Sequence, residues 1–190
     1  MQPAPDCMDS AIDYMDSAKQ PGLSVNGSVR IASLRYYNTR GVFSAALSKL
    51  RIVVPEPLRC KVAQPTLGAL DILAWRSPTE TVWICDSQPR FDEVKSALKE
   101  ADDGYLVDQT GGRRLVQLRG PPSGKLLARV GSGFAEIGVG ASKIGRMADI
   151  AVLVCKPSEE EWLLMVDRLY LDHLLGSLPP WASRSTAAIA

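Results

Sequence analysis

Two stretches of this chain, ALDILAWRSPTETVWICD at residues 69–86 and ADIAVLVCKPSEEEWLLMVD at residues 148–167, decide its fold. In each, two runs rich in apolar and β-branched residues flank a short polar segment that contains proline, which is the pattern of a β-hairpin. We place the turns at Pro78-Thr79-Glu80 and Pro157-Ser158-Glu159, so that a tryptophan follows each turn in the next strand. The two stretches therefore predict the same hairpin twice.

The likeness extends beyond the hairpins when the chain is shifted against itself by 79 residues without gaps. Nine identical residues superpose, among them an Arg-Gly step that we expect to close a strand in each half. The pairs are Arg35–Arg114, Arg40–Arg119, Gly41–Gly120, Ser44–Ser123, Leu47–Leu126, Ala69–Ala148, Pro78–Pro157, Glu80–Glu159 and Trp83–Trp162. A duplication of this kind predicts two similar supersecondary modules that share one core.

Each half has the order strand, helix, hairpin, helix. The strands predicted outside the hairpins are SVRIASLRYYNT, GYLVDQT and RRLVQLRG, and the helices are VFSAALSKL, FDEVKSALKEA, PPSGKLLARV and LYLDHLLGSL. This order predicts an α+β fold of two tandem ferredoxin-like β-α-β-β-α-(β) units, with a closing strand evident in the first half. Whether the two units join their sheets or pack face to face stays open at this point.

Several finer expectations accompany this plan. In the first helix, helical spacing assigns Val42, Ala45, Ala46 and Leu50 to the face that packs on the sheet. Three prolines in residues 53–68 predict a loop, and Pro121 and Pro122 are expected to open the third helix. Glycines at intervals through residues 131–140 predict a connector.

We divide the chain into an extended N-terminal arm at 1–28, one duplicated domain at 29–178, and a C-terminal tail at 179–190. The halves of the domain are residues 29–107 and 108–178. The arm carries several aspartates among Pro, Gly and Ser and has no strong apolar face. Such an arm can be a solvated segment or can wrap a partner.

Charge and hydropathy exclude several classes of protein. The 190 residues include 22 basic and 21 acidic ones, and no sustained basic stripe is present, which argues against nucleic-acid and anionic-membrane binding. The first residues lack a secretory signal pattern, and no apolar run approaches the roughly 20 residues that cross a bilayer. We therefore expect a cytoplasmic protein.

The residues that commonly bind metals or carry out catalysis are scarce. Four cysteines are widely spaced without a C-x-x-C pair, and His173 is the one histidine, so we expect no structural zinc site and no metal site. Cys85 and Cys155 lie in apolar strands and are expected to act as small hydrophobes. A structural role for His173 is favoured over a catalytic base.

Other features that resemble functional motifs have simpler explanations. The spacing of the glycines from Gly131 to Gly140 does not fit G-x-G-x-x-G, and the chain has no Walker-type phosphate loop. The acidic run at residues 159–161 is expected to be solvated, and Trp83 and Trp162 to be packing anchors. Arg40 and Arg119 could meet acidic groups of a partner, or hold the strand-to-helix turns at Gly41 and Gly120. We predict no catalytic and no cofactor-binding residue in this chain.

The motifs resemble one known family. The elements that carry the resemblance are Leu118-Arg119-Gly120-Pro121, Leu126-Leu127-Ala128, the strand from Gly145 to Val154, Trp162, and Arg168-Leu169-Tyr170, with LRYYNTRG and LAWRSPTETVWIC in the first half. Over residues 29–178 the chain is similar to the gamma subunit of heterotetrameric sarcosine oxidase. It departs from the family pattern in its acidic N-terminal arm and at Arg76-Ser77.

That resemblance implies the folate-binding fold of the aminomethyltransferases and a place in a complex with alpha, beta and delta subunits. The complex oxidatively demethylates sarcosine or a related N-methyl amine, with one-carbon transfer to tetrahydrofolate and electrons passing to oxygen. FAD, FMN, NAD, tetrahydrofolate and zinc are expected in the partner subunits and none in this chain. We expect the first and last strands of the domain, together with the arm, to dock the partners.

Two alternatives stay open. One is a free-standing folate-binding protein or iron–sulfur repair factor of the same fold, although SKIGRMADIA lacks the Cys and Gln-Glu of the repair-type motif. The other is a general protein-interaction module built from paired ferredoxin-like units.

Overall fold

A computed structural model describes residues 22–63, 70–120, 123–131 and 133–179 of the chain. The strands are β1 (Gly22–Asn26), β2 (Arg30–Tyr36), β3 (Cys60–Val62), β4 (Asp71–Ser77), β5 (Glu80–Cys85), β6 (Gly104–Asp108), β7 (Arg113–Arg119), β8 (Ala141–Met147), β9 (Ile150–Ser158) and β10 (Glu161–Asp167). The helices are α1 (Val42–Lys49), α2 (Gln88–Ala97), α3 (Ser123–Val130) and α4 (Leu171–Ser177), and a 3-10 turn at Arg168–Tyr170 leads into α4. The predicted mixture of helices and antiparallel strands is confirmed.

The strands form two five-stranded antiparallel sheets that have corresponding orders. One sheet runs β3-β4-β5-β2-β6 and the other β8-β9-β10-β7-β1. In the second sheet β1, which precedes the first half in the chain, takes the place beside β7 that β6 takes beside β2. The predicted boundary at residue 28 is therefore wrong, because residues 22–26 belong to the domain and complete the sheet of the second half. Residues 1–21 of the predicted arm, and 180–190 of the predicted tail, lie outside the described residues.

The two sheets pack face to face, which settles the arrangement that the sequence left open. Because side chains alternate along a strand, one face of each sheet packs on its own helices and the opposite face meets the other sheet. The layer between the sheets includes Ile31, Ile72, Ala74, Val82 and Ile84 from the first and Leu115, Leu153, Cys155, Leu163 and Met165 from the second. Two further clusters of buried apolar side chains complete the core, one between each sheet and its own pair of helices.

The hairpins superpose two residues away from the alignment that the sequence suggests. Glu80 opens β5 opposite Arg35, and Glu161 opens β10 opposite Arg119. The second turn is therefore at residues 159–160 and not at Pro157-Ser158-Glu159. Arg119 corresponds to Arg35, and Trp83 corresponds to Leu164. The identical residues at a shift of 79 located the duplication but not its register.

Two edge strands were missed by the sequence analysis. Prolines predicted a loop over residues 53–68, and glycines hid the start of β8, yet β3 and β8 are corresponding edges of the two sheets. They meet across the sheets at an antiparallel bridge between Arg59 and Ala141. The Cys60 N–H donates to Gly140 O and the Ser142 N–H to Leu58 O, each at 2.9 Å. The two halves are thus joined by matching hydrogen bonds.

Helix packing agrees with the sequence in α2 and differs in α1. Phe91, Val94 and Leu98 are buried as predicted. In α1 the buried residues are Phe43, Ser44 and Leu47. Of the predicted face, Ala46 and Leu50 are partly buried against the core, whereas the prediction is wrong for Val42 and Ala45, which are exposed. Val42 is 59% exposed, because the helix is rotated so that the bulkier Phe43 ring enters the core. The two prolines expected to open α3 lie outside the described residues. In the part of the chain that the structure describes, we find no helix long and apolar enough to cross a membrane.

Candidate functional site

The two arginines singled out from the sequence occupy different positions. Arg40 lies in an exposed turn beyond the end of β2, where its backbone N–H donates to Asn38 Oδ1 at 2.9 Å. Arg119 ends β7 and its side chain donates to Glu161 Oε1 through Nε at 3.3 Å and a terminal nitrogen at 3.2 Å. The Arg-Gly step therefore closes a strand in the second half only.

The two glycines of these steps allow close turns in different ways. A Cβ at Gly41 would collide with the Asp103 carboxylate, whose Oδ1 accepts a hydrogen bond of 2.7 Å from the Phe43 N–H at the start of α1. Asp103 thus caps α1 from the loop before β6, and Gly41 leaves room for it. Gly120 has φ of +97°, a conformation that side chains disfavour.

Trp83 and Trp162 lie on helix-facing sides of their sheets in different surroundings. Trp83 is fully buried, stacks on Phe91 at a centroid distance of 5.6 Å, and donates from Nε1 to Asp71 Oδ1 at 2.7 Å. Burial raises the pKa of Asp71, although the hydrogen bond from Trp83 and the charge of Arg90 act to lower it. Trp162 is 3% exposed, and Lys156 Nζ lies 4.9 Å from its ring centroid.

The remaining sequence candidates have local partners. His173 is exposed, and its Nε2 lies 2.9 Å from Ala148 O. Glu159 pairs with Lys156 at 3.0 Å and is 81% exposed, as expected for a solvated acidic run. The expectation is wrong for Glu161, whose side chain is 22% exposed and accepts hydrogen bonds from Arg119. Among the described residues, no group of three or more His, Cys, Asp or Glu side chains could hold a metal ion.

Three of the cysteines are buried, and Cys7 lies outside the described residues. Burial raises the pKa of Cys85 to about 12, so this thiol stays protonated. Cys60 and Cys155 share the layer between the sheets, where a hydrogen bond between the thiols lowers the pKa of Cys60 and raises that of Cys155. The Cys60 thiol also lies 3.2 Å from Ala141 O.

The feature that the sequence did not reveal is a cleft of about 220 Å³ at the end of β2. Its lining comes from β2, β5, β6 and the turn between β4 and β5, and consists of Arg35, Tyr36, Tyr37, Thr79, Glu80 and Tyr105. Arg35 lies opposite both Glu80 and Tyr105 on the neighbouring strands, so these three side chains share one face of the sheet. That face continues the layer between the sheets out to the surface.

Glu80 is the centre of the charges in this cleft. The residue is 9% exposed, and its Oε1 accepts from Ser33 Oγ at 2.6 Å and from an Arg76 terminal nitrogen at 2.7 Å. A shift in strand register between Trp75 and Ser77 brings Arg76 beside it. Burial acts to raise the pKa of Glu80, but the bond from Ser33 and the two arginine charges outweigh burial and lower it. Glu80 is therefore an anion at neutral pH.

The rim of the cleft is aromatic and open to solvent. Tyr37 is 79% exposed and Tyr105 is 45% exposed. A hydrogen bond to the Tyr105 hydroxyl, together with the charge of Glu80, raises the pKa of the Arg35 guanidinium above its usual value. Tyr36 points to the other face, where its hydroxyl lies 2.9 Å from Thr81 Oγ1. Arginine and tyrosine are the side chains that most often dominate binding at protein surfaces. The cleft is thus a candidate site for binding, with no arrangement of an acid, a base and a nucleophile.

The fold of this chain is found in solved structures of known proteins. It shares that fold with one chain of a sarcosine oxidase. The similar chain is from the heterotetrameric enzyme of Corynebacterium sp. U-96, with 21% identity, a TM-score of 0.70, and coverage of 85% of this chain and 81% of that chain. The glycine cleavage system aminomethyltransferase T of Bartonella henselae matches with 13% identity and a TM-score of 0.59 over 84% of this chain. This chain spans 46% of that aminomethyltransferase. No family model and no curated protein sequence matches the chain.

Proposed function

We propose that this chain is a non-catalytic, gamma-type subunit of a heterotetrameric flavoprotein complex of the sarcosine oxidase type. The observation that carries the proposal is a common fold along 85% of this chain and 81% of a chain of heterotetrameric sarcosine oxidase. Correspondence along most of both chains is expected of equivalent subunits, whereas a shared domain would leave much of one protein unmatched. In this proposal the two sheets are paired ferredoxin-like units of the aminomethyltransferase type.

The complex would oxidatively demethylate sarcosine or a related N-methyl amine and pass the one-carbon unit to tetrahydrofolate, with electrons going to oxygen. The alpha, beta and delta subunits would bind FAD, FMN, NAD, tetrahydrofolate and zinc. The complex would be located in the cytoplasm. This chain would contribute surface and stability to the assembly and no cofactor site.

The surface of the chain supports a role in assembly. On the 3-10 turn before α4, Leu169 is 85% exposed and Tyr170 is 50% exposed. Adjacent exposed apolar and aromatic side chains favour contact with another protein, because solvating them costs free energy that an interface recovers. The strands that we expected to dock partners, β2 and β10, lie inside their sheets, so neither has a free edge to offer a partner. The edges are β1, β3, β6 and β8.

The test is purification of the tagged full chain under native conditions from cells that produce it. The bound material is scanned for flavin absorbance and identified by mass spectrometry. We expect two larger flavin-bearing chains and a small zinc-binding chain in fixed ratio with the tagged one. A colourless protein with no associated flavoprotein would contradict the proposal, and partner chains without flavin would favour a general interaction module.

A matched pair of variants tests the docking surface. Leu169→Ser removes the most exposed apolar side chain of the 3-10 turn, and Val53→Ser makes a comparable change at a site that is 55% exposed. We expect Leu169→Ser to reduce the recovery of partner chains and Val53→Ser to leave recovery unchanged. Equal recovery with both variants would place the docking surface elsewhere.

A second candidate function is favoured by the match to aminomethyltransferase T, with its TM-score of 0.59. On that basis the chain would be a free-standing folate-binding protein of one-carbon metabolism. Calorimetric titration of the isolated chain with tetrahydrofolate separates the two candidates. Saturable binding without any partner supports the folate-binding protein, and no binding supports the subunit.

A further inference from the structure

The cleft at the end of β2 holds a positive charge that its own carboxylate does not neutralise. Glu80 Oε1 already accepts hydrogen bonds from Ser33 and Arg76, at 2.6 and 2.7 Å. Arg35 approaches only Glu80 Oε2, at 3.9 Å, which is beyond hydrogen-bond distance, and its side chain is 46% exposed. Two guanidinium groups therefore face one carboxylate, and the surplus charge is on Arg35.

The corresponding place in the other half of the molecule shows what a matched arginine looks like. Arg119 and Glu161 occupy the positions of Arg35 and Glu80, and the guanidinium donates two hydrogen bonds to one carboxylate oxygen, at 3.2 and 3.3 Å. Gly22 lies opposite Arg119 where Tyr105 lies opposite Arg35. The first half alone thus combines an exposed phenol with a guanidinium that lies beyond hydrogen-bond distance of its carboxylate.

The cleft has the size and the donors for one small charged group. Its volume of about 220 Å³ is below the roughly 300–1,000 Å³ of pockets that hold drug-sized ligands. A guanidinium presents its N–H groups as a planar fork that fits the two oxygens of a carboxylate. The Tyr105 hydroxyl can donate a further bond, and the Tyr37 ring offers an apolar wall beside the group. Phosphates would suit the charge but bring more negative charge near Glu80.

We propose that this cleft binds a carboxylate group, held in a fork by Arg35 and bonded to the Tyr105 hydroxyl. The carboxylate can come from a small organic acid or from an acidic side chain of a partner, and both present the same planar anion. The proposal concerns this chain alone and does not depend on the subunit role, so its failure would leave the proposed function unaffected.

The test is a titration of the ¹⁵N-labelled full chain, followed by NMR through the Arg35 Nε–Hε signal. One probe is benzoate, and the other is a blocked tripeptide with a central glutamate. Benzamide and the tripeptide with a central glutamine are the uncharged controls. The Arg35 signal is assigned from its disappearance in Arg35→Gln.

We expect at least one charged probe to shift the Arg35 signal saturably and neither uncharged control to do so. Tighter binding of benzoate identifies a free acid as the ligand, and tighter binding of the tripeptide identifies an acidic side chain. Affinity, monitored at the Tyr105 amide, should fall about tenfold or more in Arg35→Gln, because a charge-assisted fork is lost. Tyr105→Phe should weaken binding about threefold and Arg119→Gln by less than about twofold.

Three results would overturn the proposal. These are failure of both charged probes to saturate, equal shifts with the uncharged controls, or equal loss of affinity in Arg119→Gln and Arg35→Gln. Because Arg35 is half exposed, Arg35→Gln should fold normally, and the amide spectrum of the free variant checks this.

Discussion

Trp83→Phe removes one hydrogen-bond donor from the core of the first half and keeps an aromatic ring beside Phe91. The donor is the indole Nε1, which lies 2.7 Å from Asp71 Oδ1. Asp71 is 6% exposed, and its other carboxylate oxygen is 4.0 Å from the Arg90 Nε. The variant therefore leaves a buried anion with one remaining, distant partner.

The expected loss is about 1.5–3 kcal/mol of unfolding free energy at pH 7, the usual worth of a hydrogen bond to a charged group, plus the smaller cost of lost volume. The loss should shrink on acidification. Folding raises the pKa of Asp71 above the pKa of about 4 that it has in the unfolded chain. Ionisation of this carboxyl therefore lowers the free energy of unfolding as the pH rises from the unfolded-state pKa through the folded-state pKa. Because burial raises the pKa of Asp71, its carboxyl at pH 4 is protonated to a greater extent in the folded chain than in the unfolded one, and a neutral acceptor costs only about 1 kcal/mol to leave unpaired.

The assay is urea unfolding followed by far-UV circular dichroism at pH 7 and at pH 4, with Trp162→Phe as the matched control. That change removes a similar volume from a 3% exposed site on the other sheet. Subtracting the control from Trp83→Phe isolates the bond to Asp71. Equal losses in the two variants at pH 7, or a difference that does not fall at pH 4, would refute the reasoning. As a reference, Trp83→Ala should cost about 3–5 kcal/mol through the cavity it leaves.

Three more predictions concern backbone strain, the cleft and the first strand. Leu58, with φ of +61°, and Gly140, with φ of +74°, occupy corresponding positions in the two halves, and both have a backbone conformation that favours glycine. Leu58→Gly should therefore stabilise the chain by up to about 1 kcal/mol, and Gly140→Ala should destabilise it by about 1–2 kcal/mol. Urea unfolding measures both changes. Glu80→Gln should cost about 1–3 kcal/mol at pH 7 and less at pH 3 by the same measurement. The pKa of Glu80 is lowered on folding, so its contribution exists above the unfolded value, near 4.3, and is lost as the pH falls through the folded value. Leu23 in β1 is 3% exposed, so Leu23→Ala should lower the melting temperature and cost about 2–5 kcal/mol of unfolding free energy. The neighbouring change Ser24→Ala is the control and should be nearly neutral. Equal effects of the two variants would mean that β1 is not part of the core.

The elements that the sequence predicted well are those whose pattern is local. The apolar runs of β4, β5, β9 and β10 and the spacing of Phe91, Val94 and Leu98 in α2 each require one face to be buried, whatever the element packs against. The elements that it missed are short edge strands. In β3 and β8, only part of each strand contacts the core, so prolines and glycines nearby dominated the pattern.

The register of the duplication was also beyond the sequence. Identical residues such as Trp83 and Trp162 suggested one alignment, while the cross-strand pairs Glu80–Arg35 and Glu161–Arg119 establish another. Within the hairpins the shift is 81, from Glu80 to Glu161, and a slip of two residues keeps every side chain on the same face of a strand, so hydrophobic alternation alone accepts either alignment there. Between β2 and β7 the shift is 84, from Arg35 to Arg119, because the segment from Arg35 to Glu80 is three residues longer than the one from Arg119 to Glu161.

The sequence by itself determined that this chain has two similar halves, that each combines helices with an antiparallel hairpin, and that conventional zinc and phosphate-loop motifs are missing. These conclusions need only periodicity and residue type. Tertiary structure decided that β1 completes the sheet of the second half, that the sheets meet face to face, and that Arg35, Glu80 and Tyr105 share a cleft. Those results depend on contacts between residues that are far apart in the chain. The free energies of these contacts come from burial and charge in the folded protein, so the local sequence pattern does not predict them.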